Sequence, residues 1–192
     1  MSDLVIWHGA FSVEAQNLND AHQRLKSDLD KVKTFLESKG ITNCSVSSIG
    51  IQQLKSKATS NPDAQQTAGY RLSRSIEIKS GDLDRIKQLD ESSSELVGRG
   101  VEFSSTPPQF LYTKTAEAKI EMLAEATKDA RTRADQIALQ GGRRIDSLRS
   151  AKMGVFQITP LYETETSWGG MNDTTSMEKT IAAVISATFS LR

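Results

Sequence analysis

A single cysteine, Cys44, stands among 192 residues, so no disulfide can close within the chain and thiol content does not decide between an oxidising and a reducing compartment. Nothing near it in the sequence activates the thiol, and it reads as a small strand residue. No apolar run approaches the roughly eighteen residues that cross a bilayer. Met1-Ser2-Asp3 is not the charged start of a signal peptide, which leaves a cytosolic protein or one whose export segment has been removed. Charge of one sign is also lacking: lysine plus arginine and aspartate plus glutamate number 24 each. No global field draws the chain to nucleic acid or to an anionic membrane.

Catalytic scaffolds are equally scarce. His8 and His22 are the only histidines, and neither stands in a metal-ligand spacing such as HxxxH or HExxH. GxSxG, P-loop, GxGxxG and paired-cysteine motifs are absent, so nucleophilic, phosphoryl-transfer and dinucleotide chemistry have no recognisable framework. No catalytic residue, metal or cofactor is expected, and the chain reads as a non-enzyme.

What is present is long enough to bury a core without staples, as one domain or as two interlocked lobes meeting near residue 113. Residues 4–16 are rich in β-branched and aromatic side chains and predict a strand covered on both faces, Val5, Trp7, Phe11 and Val13 on one side and Leu4, Ile6 and Ala10 on the other. Asn17 or Asn19 caps a helix whose apolar residues (Leu18, Ala21, Leu25, Leu29, Val32, Leu36) recur at helical steps up to Gly40. A strand is predicted over 41–55, followed at 56–68 by a flexible hairpin loop with little to bury.

From Tyr70 to Lys79 the alternation marks a half-buried antiparallel strand, broken only by Arg74, which suits an edge or a paired position. Asp82 opens a second helix with Leu83, Ile86, Leu89 and Val97 inward. Val101–Thr113 returns as a strand whose Pro107-Pro108 cannot donate ladder hydrogen bonds, so an edge or bulge is expected there. Residues 115–140 contain neither glycine nor proline and predict a helix of about 39 Å at 1.5 Å per residue. Its inward stripe is placed at Ile120, Leu123, Ala126 or Thr127, Ala130, Ala134, Ile137 and Ala138, with mixed charges on a solvated outer face. Gly141-Gly142 ends it, an irregular strand follows over 144–159, a flexible loop spans 160–176, and a cleanly alternating core strand closes the chain. The fold class is therefore α+β, antiparallel or mixed sheets packed against helices in the order β-α-β-β-α-β-α-β-β. Its first six elements follow the split βαβ pattern.

Candidate contact residues are few. Trp168, flanked by Gly169-Gly170, suits either a partner contact or a place folded back on its own sheet. Gly141-Gly142-Arg143-Arg144 could cradle an anion, although it follows a helix C-terminus, where the dipole repels one.

Gly69-Tyr70 with its strand, Asp82-Leu83, the closing MEKTIAAVISATFSL, and above all AEATKDARTRADQIALQGG at 124–142 resemble the SIMPL-domain family. That resemblance implies a protein of the bacterial cell envelope, periplasmic or anchored facing the periplasm. Some members are linked to oxidative-stress tolerance or known as surface antigens, and at least one forms a large ring-like oligomer. A eukaryotic namesake is a signalling adaptor. It supplies no catalytic residues to carry over. The export segment and the short first strand usual in the family are not seen here, so membrane contact is expected only through a segment outside this chain. The expectation is a homo-oligomer joined through strand edges and the long helix, with a protein partner and without nucleic acid. Two alternatives stand beside it, a small-molecule-binding or hydrolytic module with a pocket by the Pro107-Pro108 bend, and an intracellular adaptor.

Overall fold

The structure is a computed structural model. It describes residues 1–58, 61–163 and 169–192, with backbone alone at 56–58 and 61–66. The chain divides into two compact units. One is Leu4–Gln109; the other joins Met1–Asp3 to Phe110–Arg192, so the junction lies a little before residue 113.

In the first unit β1 (Leu4–Ala15), β2 (Ser45–Val46), β3 (Gly50–Ala58), β4 (Asn61–Ser80) and β5 (Glu102–Leu111) form one five-stranded sheet. Its order is β2-β4-β1-β5, with β3 paired along β4 beside β2. This is the split βαβ arrangement expected from the element order. Helices α1 (Leu18–Ser38), α2 (Leu83–Ser92) and α3 (Glu95–Gly98) complete the unit. Val5, Trp7, Phe11, Leu72, Ile76 and Ile78 from the strands meet Leu25, Phe35, Leu36, Ile86 and Leu89 from the helices in a core closed to solvent. The opposite face of β1 is not covered as expected: Leu4 and Ile6 are half-buried and Ala10 is exposed.

Local chemistry explains the elements and the departures from them. The Asn17 side chain accepts the Asp20 amide at 2.8 Å and caps α1, and Asp82 accepts the Arg85 amide at 3.1 Å and caps α2. The strand expected over 41–55 is split where the Ser47 carbonyl leaves the ladder: the Ser47 amide still donates to the Ser75 carbonyl, but the Ser75 amide is taken by the Ser47 hydroxyl and the Ser47 carbonyl accepts the Arg74 Nε at 3.0 Å. That contact accounts for Arg74 on an otherwise apolar face. Paired strand runs through much of 56–68, where an irregular loop was expected, because ladder bonds need no apolar side chain. The second helix is broken at Ser93, whose amide bonds Asp90. The break resets the phase, so Leu96 is buried and Val97, expected inward, is exposed. Pro107-Pro108 lie in β5, the edge strand, as their missing donors require.

The second unit contains α4 (Thr115–Gln140), β6 (Ile145–Pro160) and β7 (Lys179–Leu191), the two strands forming an antiparallel hairpin. Helix α4 has the predicted bounds, and the small residues of the predicted inward stripe, Ala126, Thr127, Ala130, Ala134 and Ala138, are buried or half-buried, together with Thr115, Ala118, Met122 and Asp135. Its large residues are not: Ile120, Leu123 and Ile137, placed inward by the same period, are 73%, 37% and 75% exposed. The last strand is likewise not a core strand: Ile181, Ile185 and Phe189 are half-buried and Val184 is exposed.

Candidate functional site

Three helices end in the same way. At Gly40, Gly100 and Gly142 the backbone takes a φ of +75°, +76° and +68°, and the next residue's amide reaches back to the helix: Ile41 to Leu36, Val101 to Leu96, Arg143 to Ala138. This is the Schellman motif, in which glycine tolerates the left-handed turn. After the first two glycines the following residue is apolar and buried. After the third it is Arg143, exposed and without an ion-pair partner among the described residues.

The same bonds dispose of the anion cradle. The amides of Gly141, Gly142 and Arg143 all donate to α4 carbonyls, and Arg144 donates to the Arg192 carbonyl at 3.1 Å. No amide of the run is left to hold an anion. Arg143 instead lines a groove of about 550 Å³ with Ala134, Ile137, Ala138, Gly141, Ile145, Ala187, Thr188, Phe189 and Leu191. Arg144 is exposed, outside this lining. Trp168 lies outside the described residues.

Two smaller clefts are polar. One of about 350 Å³ in the first unit is lined by Ser12, Glu14, Arg24, Ser27, Asp28, Lys31 and Glu102. Most of its charges are paired: Lys31 bonds Asp28 at 2.8 Å, and Arg71 lies 2.8 Å from Glu14 and 3.6 Å from Glu102. The other, about 330 Å³, lies by the start of α4, where the Lys119 ammonium sits 5.2 Å over the Phe156 ring. Pro107 and Pro108 line none of the three cavities. His8 lies 3.9 Å from Glu77 and His22 is exposed. Among the described residues no three His, Cys, Asp or Glu side chains are grouped to hold a metal, and no helix is long and apolar enough to cross a membrane.

The most strongly organised polar group was not foreseen. Asp173 accepts the Thr175 amide and hydroxyl, the Ser176 amide and hydroxyl, and the Lys179 ammonium at 2.8 Å. The ion pair is closed off, with side-chain exposures of 2% for Lys179 and 6% for Asp173. Burial pushes the carboxyl up, but the bonds from Lys179, Ser176 and Thr175 outweigh it and hold the group far below the usual carboxylate range. An Asp followed at two and three residues by Thr and Ser is the sequence signal that could have marked it. The group stitches the β6–β7 connection and presents no open position for a substrate.

An α+β protein with two polar clefts and a more apolar groove beside a two-stranded hairpin is the class these features define. The chain belongs to the SIMPL family, described as proteins of unknown function (DUF541), whose profile matches residues 1–189. No curated protein matches it. Among solved structures the chain is similar to a de novo designed protein, Foldit4, at 16% identity over 54% of this chain and 93% of that one, with a TM-score of 0.23.

Proposed function

We propose that this chain is a non-catalytic assembly protein of the bacterial cell envelope, which associates with copies of itself and offers loops to a partner, in a role linked to stress tolerance. The observation that carries the assembly reading is apolar surface left uncovered along the groove of the hairpin unit: Ile137 is 75% exposed and Leu191 56%, beside Ile145 and Phe189. Exposed apolar side chains brought together from different elements are the usual mark of a surface buried by association. The envelope placement and the stress role follow from the family resemblance. Multi-angle light scattering across a hundredfold range of concentration tests the assembly. A mass that rises above the 21.1 kDa chain supports it, and a constant monomer mass at the highest concentration refutes it.

A further inference from the structure

The two long edges of the hairpin are unlike. Strand β6 has 16 residues and β7 has 13, and each of the three register shifts between them places its additional residue in β6. Bulges interrupt the row of outward N–H and C=O groups and twist an edge away from would-be partners. Asp146, Arg149 and Lys152 add charge to the same strand. Near its end the Ile158 amide already donates to Met171 at 2.7 Å, and the Ile158 carbonyl accepts from Asp173 at 2.9 Å. The β6 edge is therefore blunted by bulges, by charge and by bonds already made, and the strand ends at Pro160.

Strand β7 has none of them. From Thr180 to Leu191 it carries no charge, proline or glycine, and no extra residue. Among the described residues no strand pairs with its second edge. A long, regular, uncharged edge is a template for another strand, and protecting one edge while leaving the other bare directs association to one side. The 550 Å³ groove reaches this strand at Ala187, Thr188, Phe189 and Leu191. An occupant along it must be extended, uncharged and apolar at alternate positions. The β7 strand of a second copy has that pattern.

We propose that the free edge of β7 pairs antiparallel with β7 of a second copy, merging two hairpins into one four-stranded sheet; this names the surface for the self-association proposed above and rests on it. A two-fold axis normal to the sheet gives each edge the same complement it offers. The α4 helices then lie on one face of the joined sheet, and their outer charges, such as Asp129 and Arg133 paired at 2.8 Å, stay in water.

The test uses the whole chain. Val184→Lys and Thr188→Lys alter exposed side chains of β7, the second at the lining of the groove, and they set like charges along the joined edge. Sedimentation velocity is expected to show the apparent Kd of self-association raised about tenfold or more, with an unchanged circular dichroism spectrum and melting curve. Lys152→Glu, on the blunted edge, is expected to leave it unchanged. In a Cys44→Ser background, Ser186→Cys is expected to be joined to its copy by a short bis-maleimide, and Lys152→Cys is not. An association untouched by both lysine variants, or a link that forms at Lys152→Cys and not at Ser186→Cys, overturns β7 pairing and leaves assembly through another face. A wild-type chain that stays monomeric throughout overturns assembly itself.

Discussion

Trp7 is fully closed to solvent in β1, and its indole N–H donates to Asp90 Oδ1 at 2.7 Å while Ser105 donates to the same oxygen at 2.8 Å. Trp7→Phe removes the donor and leaves Asp90 short of one partner, so a loss of about 1–3 kcal/mol is expected in urea unfolding. Asp173 works in the other unit by charge. Asp173→Asn leaves the Lys179 ammonium buried without its counter-ion and is expected to cost about 3–5 kcal/mol, much of it recovered by adding Lys179→Met. The folded carboxyl is held below its unfolded value of about 3.9, so its contribution is complete above that value and is lost as the pH falls toward the folded one. Acid titration of stability is expected to be shallower in Asp173→Asn than in the wild type, and an equal slope would remove Asp173 from the acid response. Trp7 was legible as a core residue because alternation in β1 counts faces. Asp173 was not, because its worth depends on Lys179, and nothing in the spacing of the two says that both will be enclosed.

At the scale of elements, apolar periodicity located α1, the start of α2, α4 and the long strands, and it missed the break before α3 and the side-chain choices on α4. On α4 the alanines at Ala118, Ala126, Ala130, Ala134 and Ala138 let the backbone approach its neighbour although each methyl covers little area. The larger Ile120 and Ile137 look like the core to any rule that weighs hydrophobicity alone. A direct comparison separates the two stripes. Ala138→Leu, at a position only 5% exposed, is expected to overpack and cost about 1–3 kcal/mol, whereas Ile137→Ser should change stability by about 0.5 kcal/mol or less. Equal costs in thermal unfolding would mean that the alanine stripe is not the packed face. The split of 41–55 at Ser47 and of the second helix at Ser93 were also hidden, since each depends on a bond to a distant or preceding backbone group that the sequence does not display.

For the whole molecule, the family, the α+β class and the nearly complete element order were readable from sequence, because each rests on many residues agreeing. The candidate surface was read only in part: Arg143 reaches the groove, but the contrast between β6 and β7 emerges only when residues are paired across the hairpin and the additional ones are seen to fall on one side. Bundled charge on the chain is balanced, so association driven by apolar edges should persist in salt. The apparent Kd is expected to change less than about threefold between 0.05 and 0.5 M sodium chloride, checked by sedimentation; a tenfold weakening would point to ion pairs at the interface.

Ser2 and Asp3 have a further consequence for folding during synthesis. Ser2 bonds the Met177 carbonyl at 2.8 Å, and Asp3 takes the Thr113 amide and hydroxyl at 2.8 Å each. Ser2 and Asp3 therefore wait for partners more than a hundred residues further along before their own bonds can form, while residues 4–109, made in between, form a unit of their own. The second unit closes like a clasp, and the bare β7 strand is made after every other element described, which keeps the stickiest part out of solution while they are synthesised.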